Sequence, residues 1–317
     1  MLKTENNITS GSRLWQQLAY RILYAVCQLV GYLPWWILYY PFAWVVYVLL
    51  YRVVRYRKKV VRENLTSSFP EKSHAEILHI ERAFYKHLAE VFIDTIDLAG
   101  ISRRQMRRRI VFEDEQLHRQ HVEGRDWIAA MAHYGSWEYF MAYALGDETG
   151  RKTIGAYKPL HDKVMDMFYK RMRSRMRMFP VSISVFTRRI ISERRDGTVM
   201  CLGLIADQSP PWQYWDKWYR FLGRPTHFYD GMETLALSFK MPVYFMWVDK
   251  VRRAHYRVRF ELIYDGTESV AAGEITQRYA DKLEEMIRIR PELWLWSHRR
   301  WKHIPDVSEQ TSVLRNN

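Results

Sequence analysis

Residues 127–140 read WIAAMAHYGSWEYF, and the reading of this stretch decides the fold. An apolar run from Trp127 to Ala132 stops at His133. Gly135 and Ser136 follow, and then Glu138 at the start of what reads as a helix. The run predicts a strand, and polar side chains gathered where a strand leaves the core are candidates for chemistry. His133 can take a proton near neutral pH. A carboxylate five residues on can fold back across the turn to hold the imidazole tautomer and stabilise its cation. That arrangement is a dyad without a nucleophile. Ser136 does not sit in a GxSxG elbow, which argues against a covalent serine. Taken alone, the motif favours the plainer reading, a satisfied polar histidine and a glutamate that merely complements a helix dipole.

Outward from this stretch the texture repeats. Short β-prone runs occupy 153–156, 181–185, 199–205, 242–248 and 256–263, and helical stretches at 161–177, 188–195, 231–240 and 272–290 lie between or after them. Upstream, Ile77, Ile80, Phe84, Leu88, Phe92 and Ile96 recur at three- and four-residue steps, which predicts an amphipathic helix over 71–98. The pattern predicts an α/β fold: a mixed, mostly parallel sheet flanked by helices. Two other segments place polar groups at element ends. Asp207 and Gln208 follow the apolar run VMCLGLIA, where Asp207 orients His133 or an acceptor, or simply caps a turn. PELWLWSHRRWK (291–302) mixes Trp294 and Trp296 with His298, Arg299, Arg300 and Lys302, a composition that suits an RNA stacking surface or a lipid headgroup site.

The N-terminal third bears on the choice between those two. No charged residue lies between Arg21 and Arg52, and thirty uncharged residues are long enough to cross a bilayer. Pro34 and Pro41 argue against one straight helix over the whole interval, so a membrane-anchoring helix is expected to begin near one of them. Trp35, Trp36, Tyr39, Tyr40, Trp44, Tyr47 and Tyr51 are rings of the kind that settle at headgroup depth. Arg52, Arg55, Arg57, Lys58, Lys59 and Arg62 follow at once and favour anionic lipids and the cytoplasmic side. The expected division is an anchor and basic juxtamembrane segment over 1–70 and a catalytic domain over 71–317. The chain as a whole carries 49 Lys and Arg against 35 Asp and Glu, a formal charge of +14, which calls for polyanionic company. The cations flank a membrane segment and no nucleic-acid motif is present, so anionic membrane lipids are the expected partner and nucleic acid is not. Cys27 and Cys201 fit no metal-ligand spacing, and neither a metal nor another cofactor is expected.

These residues together resemble the late acyltransferases of lipid A biosynthesis. The resemblance is carried by His133-Tyr134-Gly135-Ser136-Trp137-Glu138 as a His-x4-Glu motif, by Asp207-Gln208 after the hydrophobic strand, by Trp294 to Lys302, and by RKKVVRENLTSSFPE (57–71) after the apolar segment. It covers nearly the whole chain in matching order. It implies transfer of an acyl chain from a thioester, on acyl carrier protein or coenzyme A, to a glycolipid hydroxyl at the bacterial inner membrane. It further implies that His133 and Glu138 are catalytic and that Arg173 or Arg175 is the family's arginine in a basic helix. Related branches acylate other lipids, such as an ornithine lipid or a mannosylated inositol lipid. On this reading Glu138 orients His133, amides near Gly135 or the Arg173 guanidinium stabilise the oxyanion, and the arginines of 171–177 face the carrier protein. Asp207 and Gln208 belong to the same site, and the cations at 298–303, including His298, Arg299 and Arg300, meet the acceptor's phosphates.

Overall fold

The computed structural model describes residues 10–147, 149–211 and 217–302. Strands β1 (Ile110–Phe112), β2 (Trp127–Met131), β3 (Lys152–Tyr157), β4 (Met178–Ser182), β5 (Met200–Ile205), β8 (Val243–Arg252) and β9 (His255–Tyr264) form one sheet in the order β1-β9-β8-β2-β5-β3-β4. A small antiparallel pair, β6 (Tyr219–Phe221) and β7 (Arg224–Thr226), lies outside it. All neighbours in the large sheet are parallel except the β8–β9 hairpin. The expected mixed, mostly parallel sheet flanked by helices is therefore what the chain forms.

The central strands explain their own composition. Every residue of β2 is buried, because helices cover both faces. Ile128, Ala130 and Ala132 enter one core with Leu202 and Leu204, while Trp127, Ala129 and Met131 enter the opposite core with Cys201 and Tyr244. This is the two-residue alternation of a strand read on both sides of a sheet.

The long amphipathic helix spans His74–Gly100 and begins at a reciprocal capping box between Ser73 and Glu76. Phe92, expected on its apolar stripe, is exposed, and Ile93 is buried in its place. The expected strand at 181–185 is displaced. β4 ends at Ser182, and Ile183 and Val185 form an exposed 3-10 turn although their side chains favour strands. The basic run at 103–109 is a capped helix whose last residue, Arg109, is buried and paired with Asp97, so it is not wholly a solvated face.

The uncharged N-terminal interval forms two helices. Ser10–Gly31 stops before Pro34, and a second helix runs from Trp35 to Val53, long and apolar enough to cross a membrane by composition alone. Pro41 does not end this helix, because the missing amide falls within a π turn at Leu38–Phe42. Both helices pack on His74–Gly100, and the Lys58–Ser68 helix adds Val61 and Leu65 to the large core. Ser10–Gly31 crosses His74–Gly100 at two glycines. A Cβ on Gly100 would stand 3.0 Å from the Gln28 carbonyl oxygen and 3.1 Å from Gly31 Cα, both of them backbone atoms that cannot swing aside. Gly100→Val should therefore destabilise the protein by about 1–3 kcal/mol, the usual cost of overpacking. Denaturant unfolding in detergent would show it as a lowered midpoint, with Ala99→Gly as the control for helix propensity.

Candidate active site

Two neighbouring strands deliver the first pair of site residues. β2 and β5 are parallel, and Met131 and Ile205 are Cα partners at their carboxyl ends. Two residues beyond each lie His133 and Asp207, and positions two apart on a strand share a face. The register therefore sets imidazole and carboxylate side by side, at the end of a parallel sheet where ligands commonly bind. His133 Nδ1 lies 2.7 Å from Asp207 Oδ1. Asp207 Oδ2 accepts the His133 backbone N–H at 2.9 Å and the Trp294 indole N–H at 2.8 Å. Burial raises the Asp207 carboxyl, but the imidazole beside it and these donated hydrogen bonds outweigh that and hold it below the ordinary carboxylate value. The stabilisation this provides is complete above the unfolded-state value and is lost as pH falls through the depressed one.

With a carboxylate at Nδ1, that nitrogen carries the proton and Nε2 presents its lone pair outward. The Gln208 amide nitrogen lies 3.2 Å from Nε2, in position to donate to it. The ring's other neighbour is Trp137, edge-on at 5.0 Å between centroids. Gln208 therefore occupies the position that a hydroxyl would take to lose its proton.

The expectation that Glu138 orients His133 gives way to a different division. Asp207 holds the imidazole, and Glu138 is taken by Arg173: Nε to Oε2 at 3.0 Å and Nη2 to Oε1 at 2.5 Å. Among the described residues no hydrogen bond joins His133 to Glu138. The reason is local. After Gly135, whose φ of +61° turns the chain, residues 137–140 form a 3-10 turn that carries the carboxylate toward the Lys163–Arg175 helix. Burial opposes the Arg173 cation, and the Glu138 carboxylate more than restores it. Arg175 instead donates to the carbonyls of Leu98 and Gly100 at 3.2 and 3.3 Å, so Arg173 is the arginine that meets the motif.

Gly135 also departs from expectation. Its amide donates to the Leu293 carbonyl at 2.9 Å and so does not face an oxyanion. The glycine serves the turn, since a Cβ there would meet Val248 at 3.1 Å and Tyr256 at 3.2 Å. Leu295 N–H returns to the His133 carbonyl at 3.0 Å, and residues 293–295 thus meet the motif in an isolated antiparallel bridge between Tyr134 and Trp294.

The aromatic, basic ending is mostly structural. Arg300 is buried, donating to the His227 carbonyl and, at 3.2 Å, to Ser209 Oγ. His298 Nε2 accepts the Ser209 amide at 3.2 Å. Arg299 and Lys302 are exposed and remain available to an anionic headgroup, and position 303 lies outside the described residues. Sequence reasoning missed the role of Trp294, whose indole is one of three donors to Asp207. The available signal was a tryptophan whose N–H needs an acceptor once buried. An apolar cavity lined by Met131, Trp137, Phe140, Met246 and Met286 adjoins the motif; its volume of about 20 Å³ admits little more than one water.

A histidine–carboxylate pair at the carboxyl edge of adjacent parallel strands, followed five residues after the histidine by a glutamate bound to an arginine, defines an α/β protein with an imidazole oriented for proton transfer. Residues 11–303 match the model of the bacterial lipid A biosynthesis acyltransferases, and the chain belongs to that family. No curated protein sequence matches the chain.

Burial and the Arg300 cation push the His298 imidazole down to about 4. Between that value and the ordinary histidine value of about 6.5 the unfolded chain binds the proton more readily, so stability falls as pH drops through this window. Urea midpoints should decline from pH 7 to pH 4, and His298→Gln, which keeps an acceptor and cannot titrate, should flatten the decline. Asp207→Asn removes the charge that stabilises the imidazolium and should lower kcat by about 10²–10⁴-fold. The circular dichroism spectrum of this variant should be unchanged.

Proposed function

We propose that the protein transfers a fatty acyl chain directly from an acyl thioester to a hydroxyl of a lipid A precursor or closely related glycolipid, on the cytoplasmic face of the bacterial inner membrane. Family membership supports the reaction class. The observation that carries the mechanism is the Asp207–His133 pair, with its Nε2 turned out of the core. The acceptor hydroxyl displaces the Gln208 amide and hydrogen-bonds Nε2. As the hydroxyl oxygen forms its bond to the thioester carbon, His133 takes the proton and Asp207 stabilises the resulting imidazolium. The negative charge on the former carbonyl oxygen is stabilised by Arg173, whose guanidinium Glu138 holds in a fixed plane. The intermediate collapses with loss of the C–S bond, and the imidazolium returns its proton to the departing thiolate. No acyl-enzyme forms.

His133→Ala should lower turnover about 10²–10⁴-fold or more. Glu138→Gln and Arg173→Lys should both lower kcat, because each loosens one bidentate pair. Mass spectrometry of membrane glycolipids from cells with and without the protein identifies acceptor and chain together. Absence of any acyl mass difference, with near-normal turnover by the purified His133→Ala variant, would refute the reading.

For the donor we propose acyl carrier protein, with its arm laid along the open edge of the sheet. A groove of about 720 Å³ runs past β4, lined by Lys152, Lys170, Phe179, Val181, Arg188 and Arg189. Arg188 pairs with no acidic side chain among the described residues. The arginines of 171–177 do not form one face, since alternate residues of a helix stand about 200° apart. Arg173 and Arg175 turn inward and Arg171 and Arg177 stay exposed. The groove shares its helix with Arg173, with Lys170 and Ser174 to either side. Arg188→Glu with Arg189→Glu should raise KM for carrier-linked donor severalfold at nearly constant kcat. An unchanged KM would count against this face.

A further inference from the structure

The two N-terminal helices each present an apolar face to the outside and a different face to the protein. On Ser10–Gly31, Leu14, Leu18, Ile22, Val26 and Leu29 are exposed at three- and four-residue steps, while Tyr24 and Cys27 are buried and Tyr24 meets the Phe168 ring. On Trp35–Val53, Trp36, Tyr40, Trp44, Leu49 and Val53 are exposed, while Leu38, Tyr39, Ala43 and Tyr51 are buried. The buried positions extend from one end of that helix to the other, so it lies along the body and does not project from it.

The surface it lies against is charged. The Tyr39 hydroxyl donates to Asp94, sits 3.1 Å from the Tyr139 hydroxyl and accepts from Arg109 at 3.3 Å. Arg109 in turn pairs with Asp97. Arg253 donates to the Tyr39 carbonyl at 2.7 Å, stands over the Tyr40 ring at 4.5 Å and pairs with Glu90, its side chain still 38% exposed. At the far end the Lys58 ammonium stands 3.9 Å from the Tyr51 ring centroid. A bilayer-crossing helix needs about 30 Å of hydrocarbon on every side not covered by protein. Here the helix lies at both ends on ion pairs of the body, Arg253 with Glu90 beside Tyr39 and Lys58 with Glu81 beside Tyr51, so a crossing would draw the charged helix His74–Gly100 into the hydrocarbon with it. Arg21 is likewise exposed midway along the first helix, where its stem can reach a headgroup only if the helix lies near the interface.

We propose that both helices insert side by side, as a wedge, into one leaflet of an anionic phospholipid bilayer, and that neither crosses it. Trp36, Tyr40 and Trp44 supply the rings of an interfacial helix, and the exposed Arg52, Arg55 and Lys59 supply the headgroup contacts. The wedge is also bonded to the catalytic turn, since Tyr139 follows Glu138 directly and its hydroxyl meets Tyr39. The depth of the wedge therefore sets the height of the site above the leaflet. The proposal rests on the acyltransferase reading only for the purpose of that placement.

The test uses the full-length chain bound to preformed vesicles of phosphatidylethanolamine and phosphatidylglycerol. Single cysteines replace Leu18, Val26, Trp36, Tyr40, Trp44 or Val53 and carry a nitroxide, with the wild-type chain as a control for labelling at buried Cys27 and Cys201. Depth is read from collision with oxygen and with a water-soluble nickel chelate. A wedge gives similar shallow depths at every site. A depth that reaches the midplane near Trp44 and declines again toward Val53 would overturn it. Tyr32→Cys supplies a second reading. An impermeant maleimide outside the vesicle should label it and one trapped inside should not, whereas labelling from inside would place the turn between the helices on the far side. Neither readout involves acyl transfer, so a failed wedge leaves the proposed reaction standing, and a failed reaction leaves the depths.

Discussion

A carboxylate withdrawn from water fixes the geometry of this site. Asp207 is 2% exposed, and an unpaired ion at such a position would be strongly destabilising. It is satisfied by three donors from two places in the sequence: the ring and backbone of His133, and the Trp294 indole. The two places are held by different constraints. The register of β2 against β5 delivers His133, and pairing of residues 293–295 with 133–135 delivers Trp294. The imidazole is thereby locked in one tautomer by groups that cannot leave without exposing the charge. The C-terminal segment thereby becomes part of the candidate site through Trp294.

The second carboxylate has a separate task because it has a separate partner. Two carboxylates on one imidazole would repel each other, and one would be driven toward protonation. With Asp207 on His133 and Glu138 on Arg173, each carboxylate has its own partner and fixes one side chain. The bidentate geometry matters more for Arg173 than the charge balance does, since a planar guanidinium held at two points keeps its remaining N–H groups aimed in one direction. A lysine would neutralise Glu138 equally well and would leave that direction free.

The parts of this arrangement that were legible in the sequence are those that local pattern encodes. The apolar runs gave β2 and β5, and the break from apolar to polar marked His133 and Asp207 as residues at strand ends. Their adjacency was not legible, because it follows from a sheet order in which β5 pairs with β2 across 68 intervening residues, from Ala132 to Val199. Proximity in sequence favoured Glu138 as the partner of His133, and a 3-10 turn overrode it. Strand-prone Ile183 and Val185 were displaced from β4 because nothing covers them. The N-terminal interval was read correctly as apolar, but its one-sided burial depends on Tyr39 finding Asp94 and Arg109, contacts that no periodicity within 35–53 announces.

The same distinction between local and long-range information governs the charge. A formal +14 suggests a broadly cationic surface, yet many of its arginines are turned inward. Arg109 closes on Asp97, Arg173 on Glu138, Arg175 on backbone carbonyls and Arg300 on the His227 carbonyl. Arginine suits such places because it is weakly hydrated and satisfies several acceptors with one charge. Of these four, Arg109 and Arg173 neutralise buried carboxylates and so add little to attraction at long range, whereas Arg175 and Arg300 satisfy carbonyl oxygens and keep their net charge. Of the exposed cations, some stand beside the features already described, Arg52, Arg55 and Lys59 by the aromatic helix, Arg188 and Arg189 along the open edge of β4, and Arg299 and Lys302 after the site, while others such as Arg103, Arg104, Arg171 and Arg257 are spread over the rest of the surface. A uniform positive field would hold any polyanion in any orientation. Cations set beside apolar or aromatic side chains, as at Arg52 and Arg188, are instead the arrangement that suits amphipathic ligands with charge at one end.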